Sequence, residues 1–173
     1  MKLFQLILGY IIGIIIFVIL IPSLLILISR NLDDLWHIDH LISLFPRLCI
    51  AIPIFILGIS FAVWSNISLL IIGKGGPTDV FNYAISPRSQ KLVIIGPYKY
   101  TRNPMVFGML CVYFSISVFL NSLSCLLFWI ILIPFIIAYL KKTEERRLLN
   151  DFGQEFVSYK SRVSMIFPGF KLK

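Results

Sequence analysis

Charged residues are absent from four long stretches of the chain: residues 3–29, 48–72, 104–120 and 123–140. A bilayer core of ~30 Å needs about 20 helical residues to cross it. The first two stretches exceed that length and predict tilted spanning helices, the first kinked at Pro22. Trp64, Ser65 and Asn66 are polar enough to turn part of the second toward a bundle interior. The last two are shorter and meet at Asn121-Ser122, which predicts a tight turn and a closely packed helical hairpin. Pro104 suits the first position of its helix.

The polar segments between them differ in character. Residues 30–47 carry Asp33, Asp34, His37, Asp39 and His40, whose spacing matches no metal motif. We read them as a solvated loop and expect no metal. Residues 73–103 are rich in Gly and Pro, yet include Leu92-Val93-Ile94-Ile95, which needs burial and argues for order. The tail, residues 141–173, has no helix breaker before Gly153. The fourth span is therefore expected to continue out of the membrane as a helix. Residues 1–47 form an N-terminal transmembrane helix and a non-cytoplasmic loop. Residues 48–173 form the core, with three spans, the 73–103 loop and the tail.

Composition sharpens this pattern. Of 173 residues, 58% are hydrophobic and 14% charged, with a mean hydropathy of +0.92. Soluble domains are roughly 45–50% apolar and about 25% charged. A water-soluble globule and a disordered chain are both excluded. The formal charge of +8 lies beside apolar segments, so it points to topology and anionic lipid, and no nucleic-acid partner is expected. Cys49, Cys111 and Cys125 all lie in apolar stretches and are expected as buried thiols.

Loop charge sets the orientation. Residues 30–47 carry Arg30 and Arg47 against three aspartates, whereas residues 73–103 carry Lys74, Arg88, Lys91, Lys99 and Arg102 against Asp79 alone. The tail is also basic. The positive-inside rule puts both termini and the 73–103 loop in the cytoplasm. The fold class expected is an all-α membrane protein with about four transmembrane helices, a C-terminal hairpin and a cytoplasmic cofactor pocket.

That topology brings Tyr98, Tyr100, Arg102 and Asn103 to the hairpin mouth beside Glu144 and Glu145. Aromatic rings stack on a flat ring, an arginine pairs with a carboxylate, and glutamates attract a cation. S-adenosylmethionine offers all three, although a nucleotide cofactor also has a flat ring. No GxGxxG or P-loop pattern is present.

Gly96-Pro97-Tyr98-Lys99-Tyr100-Thr101-Arg102-Asn103-Pro104-Met105 resembles the signature of the isoprenylcysteine carboxyl methyltransferases and their bacterial relatives, which also resemble phospholipid methyltransferases. Glu144-Glu145, Phe152-Gly153-Gln154-Glu155-Phe156 and Tyr159-Lys160-Ser161-Arg162-Val163 resemble that family's ending. Gly73-Lys74-Gly75-Gly76-Pro77 is similar to a stretch of prokaryotic members, which favours a bacterial inner membrane. The resemblance implies a membrane methyltransferase using S-adenosylmethionine. It implies that Gln90, Lys91, Leu92, Val93, Tyr98, Asn103, Pro104, Met105 and Val106 line the cofactor and that Glu144 holds it. Arg102 and Glu145 are positioning candidates, and Lys142 and Arg146 would steer a lipophilic substrate. Asn103, Val106, Phe156 and Ser164 replace the more usual His, Tyr, Tyr and Pro, which leaves the acceptor open. A carboxylate acceptor is already ionised and needs no general base. An amine needs a base or a depressed pKa, and no histidine is expected on the cytoplasmic side. That favours a carboxylate, thiol or isoprenoid-linked acceptor over a lipid amine. Two other readings stand beside this one. One is a membrane NADPH-dependent reductase, because sterol reductases carry a similar Arg-His-Pro ending. The other is a non-catalytic scaffold of the same fold.

Overall fold

The computed structural model describes residues 2–36, 42–76, 79–80, 83–84, 87 and 89–169. His37, Asp39 and His40 lie outside them. The first helix runs through α1 (Lys2–Ile14), a π-helical stretch at Ile15–Leu20, α2 (Ile21–Ile28) and a second π stretch at Ser29–Asp33. Pro22 lacks an N–H and its ring crowds the carbonyl four residues back. The wider π turns just before it provide that room, and helical dihedrals persist at both junctions. The expected disturbance at Pro22 therefore takes the form of a change in helical winding.

α3 (Leu44–Ser68) extends through a π stretch at Leu69–Gly73 and stops at Lys74, whose φ of 51° is left-handed. A minimal antiparallel pair follows, β1 (Asp79–Val80) with β2 (Tyr83–Ala84). After a 3₁₀ turn at Gly96–Lys99 come α4 (Pro104–Leu120) and α5 (Leu123–Lys142), joined through a left-handed Asn121. Among the described residues, three helical runs are long and apolar enough to cross a membrane, and α4 is a shorter apolar helix beside them. The wide exposure of Phe4, Ile15, Phe45, Ile71, Ile130 and Phe135 follows if lipid covers them.

The closest packing differs from the expected hairpin. α4 presses hardest against α3, backbone to backbone. A Cβ on Gly58 would lie 2.6 Å from the Gly108 carbonyl, and one on Gly108 would lie 2.6 Å from the Gly58 carbonyl. Ser115 Oγ donates to the Ala51 carbonyl at 3.0 Å along the same seam. Small residues let membrane helices approach until dispersion and polar contacts replace the hydrophobic drive that lipid removes. α5 instead packs with α2 and α4 around Leu25, Tyr113, Cys125 and Trp129, where the Tyr113 and Trp129 rings stack at 4.8 Å.

Polar ties at one end hold the helices in register. Ser122 Oγ accepts from Cys125 N and Asp33 Oδ1 accepts from Ser124 N, so two side chains cap the start of α5. Asn121 exchanges two 3.2 Å bonds with the Ile42 backbone. Of the three cysteines only Cys125 is buried; Cys49 is exposed and Cys111 intermediate, because their positions on the helices face outward to differing degrees.

Gly108→Leu should collapse the seam, because its added side chain meets backbone that cannot move aside. Overpacking costs typically ~1–3 kcal/mol, and thermal unfolding in detergent should show a clearly lower midpoint than Met109→Leu.

Candidate functional site

At the opposite end from Asn121, the tail folds back onto the 3₁₀ turn. α6 (Glu144–Arg162) follows α5 after the single residue Thr143. The Thr143 N–H donates to the Tyr139 carbonyl at 2.9 Å while its own carbonyl accepts from Arg147 N at 3.0 Å, so the fourth span continues as a helix as expected. Thr143 Oγ1 also donates to the Tyr139 carbonyl at 2.6 Å. The break comes at Gly153, at φ 50° and ψ −124°, a conformation essentially reserved for glycine.

That break is what makes the site. In a straight helix Lys160 would lie roughly 22 Å along the axis from Glu145. Its Nζ instead sits 2.6 Å from Glu145 Oε2. The two halves of α6 therefore double back, and Leu148, Phe152, Phe156 and Tyr159 join one apolar cluster with Val93 and Tyr98. Leu69 and Ile72 at the end of α3 complete it.

Glu145 lies at the centre of the polar contacts. Its Oε1 accepts from Arg102 Nη2 at 2.6 Å, and both of those side chains are only 8% exposed. Arg102 Nη1 donates to the Lys160 carbonyl at 2.9 Å, while Arg102 Nε is buried with no hydrogen-bond partner among the described residues. Burial pulls the Arg102 guanidinium below its ordinary pKa, and Glu145 opposes that pull. The residues after α6 then run beside the loop. Arg102 N donates to the Ser164 carbonyl, Asn103 N and Nδ2 both donate to Met165 O, and Thr101 Oγ1 donates to the same oxygen. The Asn103 side chain is thus committed to the tail.

Tyr98 is buried, and its carbonyl accepts from Tyr159 Oη at 2.7 Å. Burial, then the nearby charge of Glu144, then Tyr159 hold the Tyr98 phenol proton well above its usual range. Tyr159 is raised by burial and partly offset by Arg102. Both phenols therefore stay neutral, and Tyr98 and Glu144 share one electrostatic neighbourhood. Gly96 makes the turn possible: its φ is 65°, and a Cβ there would lie 3.1 Å from Ser68 Oγ and 3.3 Å from Trp64 Nε1.

The residues singled out from sequence fare differently. Arg102 pairs with Glu145 and Tyr98 lies within the field of Glu144, as expected, whereas the Asn103 side chain turns to Met165. Val93 and Leu92 belong to the apolar cluster under α6, while Val106 packs with the membrane core and Pro104 is fully buried. Met105 lies between, its sulfur 3.8 Å from Asn66 Nδ2. Gln90 and Lys91 are exposed on the loop, as are Lys142 and Arg146 near the α5–α6 junction. Tyr100 does not join the group, because its ring sits against Phe61 and Trp64 of α3 at 6.4 and 6.3 Å. Two cavities, one beside Lys99 and Arg162 and one beside Phe55 and Phe119, are not lined by Gln90–Val93 or Asn103–Val106. Lys160, Thr101 and Met165 were missed as site residues. Lys160 stands in the family-like ending Tyr159–Val163, and Gly153 is the first helix breaker of the tail, but neither signal points to Glu145 as its partner.

A family model described as Phospholipid methyltransferase matches residues 46–155. The chain belongs to the phospholipid methyltransferase family. With its three long apolar helical runs, it is an integral membrane protein of a methyltransferase family. Neither the curated proteins nor the solved structures give a match to the chain. The matched region takes in α3 to α5, the Gly96–Lys99 turn and most of α6, so Arg102, Glu144 and Glu145 all belong to the family portion.

Glu145→Gln should release the tail. Losing one partner of a buried pair costs ~3–5 kcal/mol, whereas Lys160→Ala, at a side chain 49% exposed, should cost under ~1 kcal/mol. Limited proteolysis of the 144–166 segment reads both. Equal protection in wild type and Glu145→Gln would contradict the latch.

Proposed function

We propose that the chain is a membrane methyltransferase that uses S-adenosylmethionine to methylate a lipophilic acceptor at the cytoplasmic interface. The observation that carries this is the meeting of Tyr98, Glu144 and the Arg102–Glu145 pair where the tail docks on the loop. The donor set suits the cofactor's two ends. Arg102 Nε, buried and without a partner among the described residues, matches a methionyl carboxylate. Glu144, whose charge is felt at Tyr98, matches the ammonium group. Tyr98, kept neutral, offers an aromatic face. By the family resemblance, Gln90, Lys91, Leu92, Val93, Asn103, Pro104, Met105 and Val106 line the remainder.

When bound, S-adenosylmethionine supplies an electrophilic methyl group on a sulfonium. The chain's part is alignment and exclusion of water. Glu145 fixes Arg102, and through the Arg102–Lys160 and Asn103–Met165 contacts it closes the tail over the loop. Lys142 and Arg146, both exposed, are placed to attract an anionic acceptor. A carboxylate acceptor is already ionised at neutral pH, and the only two histidines of the chain, His37 and His40, lie in the segment assigned to the opposite face. The acceptor is therefore proposed as a carboxylate, thiol or isoprenoid-linked group.

The proposed topology has four spans, with both termini and the 73–103 loop cytoplasmic and residues 1–47 preceding the methyltransferase core. Basic charge concentrated in residues 73–103 and 141–173 supports it.

Calorimetry on detergent-solubilised protein should detect S-adenosylmethionine binding, weakened at least about tenfold by Glu144→Gln or Tyr98→Ala, the loss expected from ~1.4 kcal/mol. Binding of NADPH in its place would replace this reading with a reductase. Single cysteines at Asp34 and Ser89, in a background lacking the three native ones, should label from opposite sides of the membrane. Labelling of both from one side would contradict the four-span arrangement.

A further inference from the structure

A second polar feature lies apart from Glu144 and Tyr98. A cleft of about 220 Å³ opens between the Gly96–Lys99 turn and the chain leaving α6, lined by Lys99, Tyr100, Arg162, Val163, Ser164 and Gly169. Two of these are cations and none is acidic. Among the described residues, neither Lys99 nor Arg162 is engaged in an ion pair. Arg162 spends its Nε on the Ser158 carbonyl at 3.1 Å.

The walls are held by the same strand-like pairing that docks the tail. Thr101 and Ser164 form a parallel bridge, and Ser164 Oγ donates to the Tyr100 carbonyl at 3.1 Å. The depth of the cleft is marked by Tyr100. Its half-exposed ring leans on Phe61 and the exposed Trp64, and Phe61 in turn packs on Phe107 at 4.9 Å. Lys99 and Tyr100 lie just before Pro104, the first residue of the apolar helix α4, so the cleft opens at the boundary of the membrane part, where aromatic rings sit at headgroup level. Cations at that level meet lipid phosphates.

We infer that this cleft binds the phosphate of an anionic lipid headgroup, with Lys99 and Arg162 as its charge partners. The inference rests on the placement of the chain in a membrane and not on methyl transfer. A bound headgroup would bridge the 3₁₀ turn and the tail, tying the docked state to the bilayer surface. Phosphate free in solution offers the same chemistry without the acyl chains, so the test separates the two sources.

Native mass spectrometry of the full chain in detergent, titrated with phosphatidylglycerol, gives the measurement. Wild type should retain the lipid, and Lys99→Ala with Arg162→Ala should weaken retention by about tenfold or more. Lys99→Arg should preserve it, and Lys74→Ala, which removes a charge outside the cleft, should leave it unchanged. Excess inorganic phosphate should not displace the lipid. Retention unaffected by the double substitution, or weakened equally by Lys74→Ala, would overturn the site. Displacement by inorganic phosphate with the same residue dependence would overturn the lipid as its source. Circular dichroism of the double variant guards against loss of fold as the cause.

Discussion

Glu145 is a carboxylate almost closed off from solvent, and it holds two cations that come from distant parts of the chain, Arg102 and Lys160. Isolating such a charge is expensive, and a buried ion pair persists only with good geometry and further hydrogen bonds. Here those bonds are present: Arg102 also reaches the Lys160 carbonyl, and the adjacent backbone is paired to Ser164 and Met165. Because the cost of an unmatched Glu145 is high, the tail has one favourable position against the loop. The apolar cluster of Val93, Tyr98, Phe156 and Tyr159 fills the space beneath that position.

The membrane part supplies the platform. Gly58 and Gly108 let α3 and α4 approach until their backbones touch, which fixes the end of α3 relative to the start of α4. The Gly96–Lys99 turn and residues 101–103 span the gap between those two ends, so their placement follows from the seam. Asp33, Ser122 and Asn121 fix the other end of the bundle, where no part of the proposed chemistry lies.

The helices were legible because lipid imposes a plain rule: a charge-free run of sufficient length must satisfy its own backbone. The meeting of Arg102 with Glu145, and of Tyr98 with Glu144, was legible too, since hairpin topology brings those segments to one mouth. The α3–α4 seam was not, because a glycine contact across fifty positions leaves no periodic trace in one sequence. Nor was the partnership of Glu145 with Lys160, which depends on a single left-handed residue, Gly153, reversing a helix. Tyr100 was misplaced for a related reason. A 3₁₀ turn sends neighbouring side chains in different directions, and spacing alone could not tell that Tyr98 enters the cluster while Tyr100 turns to Trp64. The role of an isolated reversal or turn is set by what it packs against.

In the proposed chemistry, docking of the tail through Glu145 assembles the site for methyl transfer. Transfer of a radiolabelled methyl group from S-adenosylmethionine into total membrane extract tests it most directly, with the purified chain and its Glu145→Gln and Gly153→Ala forms compared at saturating cofactor. Label should appear in a lipophilic product with wild type and be lost in both variants, although Gly153→Ala meets no neighbour within 4 Å and acts through backbone conformation alone. Undiminished transfer by both variants, or no transfer by wild type to any lipophilic component, would contradict it.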